Sequence, residues 1–306
     1  MLKQFRHKFI QMLWQKYRAL SPEMILMETA LKQKGVTHLP LDHFAVIDLP
    51  GPHTSMQHLS QIFAALGYVK RGQDYLPDKQ NDFLWMAEIN CECAPVREAL
   101  PQVVVADFRL KEMPSAVSNI IEKYSSQAAL LSLNEIQKLI ARIEQQDESA
   151  AEQLFALLEK YFAGRDWPLP TKKEFHTVQA FNELLAWVLV FGRRPNHFTF
   201  SVHLLNHFSN LADFNAFVEQ ELNLALNSDG GKIKGNAQAG IEQGSTKPKS
   251  QAVSLADESV ELPGEFVEFV WRHPQPTLQR APYLWGDYFT DFIAQQANRV
   301  IESLYV

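Results

Sequence analysis

The chain has 306 residues but only two cysteines, Cys91 and Cys93, in the stretch NCECA. A zinc site built from four cysteines is therefore excluded. Two cysteines so close together on one strand lack disulfide geometry, so we expect reduced thiols and a cytoplasmic location. No stretch approaches the ~20 apolar residues of a membrane-spanning helix. The net charge of −6 gives no overall attraction to nucleic acid or to an anionic membrane, so neither is expected as a partner.

Apolar residues make up 46% of the chain, which is enough to fill a large core. The N-terminus is basic and amphipathic without an uninterrupted apolar stretch, so we expect a helix that packs on the body rather than a signal peptide. We predict a single domain over 1–306 with four parts: N-terminal helices (1–40), a first β module (41–110), a helical insertion (111–192) and a second β module with a C-terminal helix (193–306). The sequence does not define the oligomeric state.

The sequence of each β module predicts a strand, a helix and then two further strands. In the first half the strands are 42–49, 83–91 and 102–110, which are apolar, β-branched or aromatic stretches bounded by proline or charged residues. In the second half the clearest strands are 197–204 and 266–272. The order of elements therefore predicts an α+β fold of two βαβββ-type modules, whose strand faces form a partly closed cleft.

Histidine followed by phenylalanine opens a strand in both modules, as DHF at His43 and NHF at His197. Alternate residues of a strand share a face, so 197–204 is divided into a polar face and an apolar one. The polar face carries His197, Thr199, Ser201 and His203. Buried polar groups without partners are costly, so this face requires water, a ligand or a metal.

Glu268 lies in the middle of the otherwise apolar strand FVEFVWR, where an ionised carboxylate requires a partner. Together with His43 and His197 it supplies the donors of a two-histidine, one-carboxylate site, which holds Fe(II) and leaves positions free for substrate and dioxygen. The spacing alone leaves an alternative open. The two histidines are then satisfied residues at strand ends, and Glu268 pairs with Arg272 or Lys232.

The sequence resembles the 2-oxoadipate dioxygenase/decarboxylase family from about residue 20 to the C-terminus. The similar stretches, in matching order, are DHFAV, GYVKRGQDYLPDKQNDFLWM, NHFTFSV, GGKIKGNAQAGIEQGST, EFVEFVWR and DFIAQQANRVIES. The resemblance implies a fold related to the vicinal oxygen chelate superfamily, with an inserted helical region. It also implies that Fe(II) is the cofactor and that its ligands are His43, His197 and Glu268.

The resemblance further implies a reaction. A 2-oxo acid reacts with O2 to give CO2 and a 2-hydroxy acid, as when 2-oxoadipate gives 2-hydroxyglutarate, so the expected partners are a 2-oxo acid and O2. Two alternatives remain: a metal-dependent hydrolase or isomerase on the same scaffold, and a non-catalytic homologue that binds a small molecule.

One position departs from the family pattern, which has an arginine four residues after the first histidine to bind a substrate carboxylate. Here that position is Ile47, which by alternation faces the same way as His43. The substrate then lacks that carboxylate, another cation binds it, or activity is lost. The candidate cations are Arg272 first, followed by Arg71, Lys232 and Lys234.

Four further residues are candidates for substrate contact. Gln243 and Ser245 match the family within a glycine-rich stretch that lacks the spacing of a phosphate loop, and a role in a turn is the alternative for both. Gln295, near the C-terminus, matches a substrate-contacting position, although a solvated helix residue is the alternative. His203 extends the polar face that begins at His197.

Overall fold

The computed structural model describes residues 1–293. Within that range it has nine α-helices: α1 (Leu2–Leu20), α2 (Pro22–Gln33), α3 (Met56–Ala65), α4 (Ser115–Ser125), α5 (Leu133–Glu144), α6 (Glu148–Tyr161), α7 (Lys172–Phe181), α8 (Glu183–Phe191) and α9 (Leu211–Gln220). The same range has ten strands: β1 (Leu41–Ile47), β2 (Tyr68–Leu76), β3 (Asn81–Glu88), β4 (Gln102–Phe108), β5 (His197–Ser201), β6 (Lys234–Asn236), β7 (Ile241–Ser245), β8 (Ser250–Ser254), β9 (Ser259–Pro263) and β10 (Phe266–Arg272). None of the helices in this range is long and apolar enough to cross a membrane.

One mixed sheet of eight strands, in the order β2-β3-β4-β1-β5-β10-β7-β6, forms the centre of the molecule, and β8 and β9 form a separate hairpin. The central strands β1 and β5 are antiparallel, with Phe44 opposite Phe198. On each side the next strand is parallel to its central neighbour, β4 to β1 and β10 to β5. The remaining strands pair in antiparallel fashion in both halves. This arrangement confirms the predicted α+β fold of two βαβββ-type modules.

The two faces of the sheet contribute to separate hydrophobic cores. One core contains Phe44 and Phe198 together with residues of α1, α3, α5, α6 and α9. The other contains Ile47, Phe83 and Ala106 with residues of α4, α7 and α8. The helices between residues 111 and 192 are therefore divided between the two faces. The candidate site lies on the second face, where this apolar core meets polar residues of β5, β7 and β10.

The N-terminal helix packs on the body as its pattern predicts. Its buried residues include Phe5, Phe9, Leu13 and Tyr17, which recur every four residues and so lie along one face of α1. The Tyr17 hydroxyl donates a hydrogen bond of 2.6 Å to the carbonyl of Phe266. This bond joins α1 to the start of β10, the strand that carries Glu268.

Two local predictions are wrong. The cysteines are not on a strand but in a short 3-10 turn, Cys91–Cys93, which follows Asn90 in the left-handed conformation at φ 62°. Strand β5 ends at Ser201, and Val202–Leu204 form another 3-10 turn. The alternation that defines a strand face therefore does not extend to His203. The division into one domain with the stated boundaries stays a prediction.

Candidate metal centre

The structure brings His43, His197 and Glu268 together, although 225 residues separate the first from the last. They lie on the adjacent strands β1, β5 and β10, where both His43 and Glu268 are paired with Thr199. One ligand atom from each of the three residues lies within 4.8 Å of the others, and all three residues are buried. The shortest approaches to the carboxylate are 3.1 Å from His197 Nε2 and 3.5 Å from His43 Nε2.

Hydrogen bonds at the other ring nitrogen orient both imidazoles. His43 Nδ1 donates to Asp42 Oδ1 at 2.8 Å, and His197 Nδ1 donates to Asn196 Oδ1 at 2.7 Å. Because both partners accept, Nδ1 carries the hydrogen in each ring and Nε2 presents its lone pair to the centre. This backing is typical of histidines that bind metals.

A bulge in β1 places Asp42 where it can back His43. Leu41 pairs with Phe200 and His43 with Thr199, so Asp42 is the extra residue that has no partner across the ladder. A bulge of this kind re-aims one side chain out of the regular alternation. Consecutive residues, Asp42 and His43, therefore reach the same side of the sheet.

Burial and neighbouring charges set the protonation of the three candidate ligands. Burial lowers the pKa of His197 to about 4, which keeps its imidazole neutral. Burial alone raises the pKa of Glu268, but the charge and hydrogen bond of His43 hold it below its usual range. The pKa of His43 is raised: burial lowers it, but Glu268 and Asp42 outweigh that effect. His197 and Glu268 are therefore in the forms that bind a cation, whereas a cation would displace a proton from His43, and the donor set fits a divalent transition metal.

Arg272 acts on this centre through Asp42. Its Nε and Nη2 atoms donate to the two carboxylate oxygens of Asp42, both at 2.8 Å, and both side chains are fully buried. Burial raises the pKa of Asp42, but the Arg272 charge reverses this and holds it far below its usual range. Nη1 donates to the carbonyls of Phe289 at 2.8 Å and Asp291 at 3.2 Å. Arg272 therefore pairs with Asp42 and not with Glu268, and its direct contact with substrate stays a prediction.

Gln243 and Ser245 lie on β7, next to Glu268 on the neighbouring strand β10. Gln243 Nε2 donates to Glu268 Oε1 at 2.8 Å, and Ser245 is paired with Glu268 in the ladder. Gln243 Oε1 and Ser245 Oγ are buried and have no hydrogen-bond partner among residues 1–293. Buried polar atoms of native proteins are nearly always satisfied, so these two atoms support the predicted contact with a bound molecule.

His203 lies outside the face that carries the candidate ligands. Its Nδ1 accepts from the backbone N–H of Arg272 at 3.3 Å, and its ring packs 4.8 Å from that of Tyr288. Burial lowers the pKa of His203 to about 4, so the ring is neutral, and its Nε2 is buried without a partner in the part of the chain that the structure describes. Its substrate contact stays a prediction. Gln295 lies outside the described residues.

The other cations proposed to compensate for Ile47 have protein partners. Arg71 forms an ion pair with Glu92, and Lys232 forms one with Glu219. Lys234 donates to the carbonyl of Asn227 at 2.9 Å. Ile47 itself belongs to the apolar core of the second face. The suggested pairing of Glu268 with Lys232 is therefore wrong.

Sequence reasoning missed Asp42, Asn196 and Phe292. A signal for the first two was present, since each candidate histidine ligand is directly preceded by a residue whose side-chain oxygen can accept its Nδ1 hydrogen. Phe292 packs edge-on against His43, with ring centroids 4.8 Å apart. No local pattern connects residue 292 with residue 43, so this contact could not be predicted.

This mixed sheet of paired βαβββ modules, with two histidines and a glutamate at its centre, gives the chain an α+β fold similar to that of glyoxalase-type proteins. The sequence model of the 2-oxoadipate dioxygenase/decarboxylase family matches residues 16–283. The chain belongs to that family.

Individual relatives agree with this assignment. The chain is 27% identical over 247 residues to the chloroplastic 2-oxoadipate dioxygenase/decarboxylase of Arabidopsis thaliana, a match that covers 79% of this chain and 61% of the relative. The chain thus spans about three-fifths of that relative's length. Its fold is similar to that of rice hydroxyglutarate synthase in complex with 2-oxoadipate, with a TM-score of 0.78, 23% identity and coverage of 99% of this chain and 93% of that one. A Ralstonia eutropha protein assigned to the glyoxalase superfamily has a TM-score of 0.72, 17% identity and coverage of 85% and 80%.

Proposed function

We propose that the chain is a non-haem Fe(II)-dependent dioxygenase/decarboxylase that converts a 2-oxo acid and O2 into CO2 and a 2-hydroxy acid with one carbon fewer. The observation that carries the proposal is the buried cluster of His43, His197 and Glu268 on one face of the sheet. Family membership and the name of the Arabidopsis relative support the same reaction class.

The stoichiometry needs no external reductant. The bond between C1 and C2 of the 2-oxo acid breaks, and C1 leaves as CO2. This oxidative decarboxylation supplies two of the four electrons that reduce O2. Hydroxylation of the carbon next to the new carboxyl group supplies the other two, so both oxygen atoms enter products.

Bound Fe(II) would supply a redox-active Lewis acid that the 2-oxo acid chelates and that activates O2. The chain's own residues hold and shield the reacting groups. The ring of Phe266 stacks on His197 at a centroid distance of 4.8 Å, so water is excluded from this side of the centre. In this proposal the Ser245 hydroxyl donates to an oxygen of the substrate, and Gln243 Oε1 accepts a hydrogen bond from the hydroxyl of the product.

The test is to reconstitute the protein with Fe(II) under anaerobic conditions and then record oxygen uptake across a panel of 2-oxo acids. We expect uptake, release of CO2 and a 2-hydroxy acid product. The variant His197→Ala should lose bound iron, whereas His176→Ala, which removes an exposed histidine on α7, should retain it. Unchanged metal content in His197→Ala refutes the proposed site.

Two other outcomes correspond to the alternative functions. Turnover that persists without oxygen would favour a metal-dependent hydrolase or isomerase. Thermal stabilisation by a ligand without oxygen uptake would favour a non-catalytic binding protein. The cytoplasmic location stays a prediction, since the Arabidopsis relative is named as chloroplastic.

A further inference from the structure

Beyond Gln102, which is paired with His43, the sheet face that carries His43 is apolar on the side away from Glu268. Ile47 is paired with Ala106 across β1 and β4, and Ala106 with Phe83 across β4 and β3, so the three side chains share the face of His43. Val104, on the same face, is paired with Trp85. A group that extends from the metal centre over β1, β4 and β3 therefore meets hydrocarbon side chains.

The apolar wall formed by Ile47, Phe83, Val104 and Trp85 is shaped around the indole ring of Trp85. Gly72 lies opposite it on β2, and a Cβ atom at Gly72 would lie 2.1 Å from Cζ2 of the indole. Only glycine accommodates the ring at this position, because any larger residue overlaps it. The indole thus lies over β2 on the face of the sheet that carries His43, and its Nε1 donates to Asp291 Oδ1 at 3.3 Å.

The ring of Phe292 already occupies the space between the wall and the candidate ligands. It packs 4.8 Å from the ring of His43 and 5.6 Å from the ring of Trp85. The backbone before it is held in place by Arg272 and by Gln102, whose Nε2 donates to the carbonyl of Thr290 at 2.8 Å. A benzyl-sized apolar group therefore fits directly beside a ligand of the proposed metal.

The charges around this space do not favour a second anion. The Arg272 guanidinium lies 5.3 Å from the Phe292 ring, but the Asp42 carboxylate neutralises it. A divalent cation, Glu268 and one substrate carboxylate sum to zero charge. A second carboxylate on the substrate would add an uncompensated negative charge against an apolar wall, which is costly.

We infer that the substrate is a monocarboxylic 2-oxo acid with an apolar side chain, and that this side chain takes the place of the Phe292 ring between His43 and Trp85. This inference rests on the proposed function and narrows it. It makes Ile47, Phe83, Val104 and Trp85 the residues that select the side chain. The polar residues of β7 and β10 then face the reacting end of the substrate.

The experiment compares 2-oxohexanoate with 2-oxoadipate, which have the same number of carbons and differ in a terminal methyl or carboxylate. Binding to the Fe(II)-loaded protein is measured without oxygen, by calorimetry, and kcat/KM is measured with oxygen. We expect 2-oxohexanoate to bind roughly tenfold tighter or more, since the wall favours a methyl group over a charge. Equal or tighter binding of 2-oxoadipate overturns the inference.

Two variants sharpen the result. Ile47→Arg should shift the preference toward 2-oxoadipate, whereas the size-matched Ile47→Leu should leave it unchanged. Phe292→Ala, which removes the buried ring that fills this space, should tighten binding of 2-oxohexanoate and keeps the test available if Ile47→Arg does not fold. Weaker binding of 2-oxohexanoate to Phe292→Ala would contradict the inference that its side chain takes the place of the Phe292 ring.

Failure of this inference differs from failure of the proposed function. If 2-oxoadipate is the preferred substrate of an oxygen-consuming reaction, the proposed function stands and the inference is wrong. If no 2-oxo acid supports oxygen uptake, the proposed function is wrong. Preferential anaerobic binding of 2-oxohexanoate would still support the apolar compartment in that case.

Discussion

The two halves of the sheet share a strand arrangement but present different side chains to the candidate metal centre. Phe44 and Phe198, which follow the two histidines, lie opposite each other at the centre, so a two-fold relation about this pair makes His43 equivalent to His197. By the same relation Val104 on β4 occupies the position that Glu268 has on β10. One half therefore provides two candidate ligands and the other half provides one.

The difference extends to the next strand on each side. Ser245 lies opposite Glu268, whereas Trp85 lies opposite Val104. Equivalent positions are thus polar in the second half and apolar in the first. A repeated arrangement of strands can therefore combine two environments in one cleft: one that binds a cation and the charged end of a substrate, and one that accepts an apolar group.

The largest effect is expected from removing the carboxylate that distinguishes the second half. Glu268→Gln keeps the shape of the side chain but removes its charge, so we expect a loss of metal affinity beyond the roughly 10–100-fold effect typical of residues that only back a ligand. Iron content after anaerobic reconstitution and desalting measures it. Glu261→Gln, at an exposed position on β9, is the matched control and should retain iron.

Introducing a carboxylate into the first half would make the two halves alike. Val104→Glu places a fourth candidate ligand next to His43, so we expect iron to remain bound while oxygen uptake falls sharply, because a coordination position needed for substrate is filled. Val104→Gln, of similar size and without charge, is the control. Unchanged turnover in Val104→Glu would show that the side chain at position 104 does not reach the metal. It would contradict the equivalence of Val104 and Glu268.

The residues that back the two histidines also differ, and we expect the change at Asp42 to have the larger effect. Asp42→Asn weakens the acceptor for His43 and leaves the buried Arg272 without its counter-charge, which costs about 3–5 kcal/mol of folding free energy when a buried pair is broken. Asn196→Ala removes only the acceptor for His197.

Metal affinity separates positioning from stability in these two variants. For both we expect iron affinity to fall by roughly 10–100-fold, measured at a temperature at which circular dichroism shows the protein folded. Urea unfolding should show a large loss of stability for Asp42→Asn alone. Equal losses of stability in the two variants contradict the role assigned to Arg272.

Much of the candidate site could be predicted from strand periodicity. The stretch 266–272 forms β10 with the predicted bounds, and the alternation in 197–201 correctly grouped His197 with Thr199 and Ser201. Both strands are buried on both faces at the centre of the sheet, so an isolated charge or a row of polar residues is conspicuous there.

Features that depend on distant contacts could not be predicted. Strand β2 was missed because it is a largely exposed strand at the edge of the sheet, with the polar sequence KRGQD in its middle. The bulge at Asp42 interrupts the alternation at the start of β1, so Asp42 could not be grouped with His43. The ion pair between Asp42 and Arg272 joins residues 230 positions apart, and no local pattern encodes it.

The smallest effect is expected at Asp107, which occupies on β4 the position of Trp271 on β10. Burial raises its pKa to about 6, opposed by the hydrogen bond from the Met56 N–H. Because the folded-state pKa lies above the unfolded-state value, the stabilising contribution is complete at low pH and is lost as the pH rises through about 6. Asp107→Asn, which keeps the acceptor, should therefore gain stability relative to the wild type between about pH 4 and 7 and no more above that range.

Urea unfolding at a series of pH values measures this difference, with Asp74→Asn at an exposed position of β2 as the control. A constant difference between Asp107→Asn and the wild type across the series would mean that the pKa of Asp107 is the same in the folded and unfolded states, so that its carboxyl group is ionised in the folded protein above about pH 4. The first half would then carry a buried charge on the face of the sheet opposite Ile47, Val104 and Trp85, at the position that Trp271 occupies in the second half.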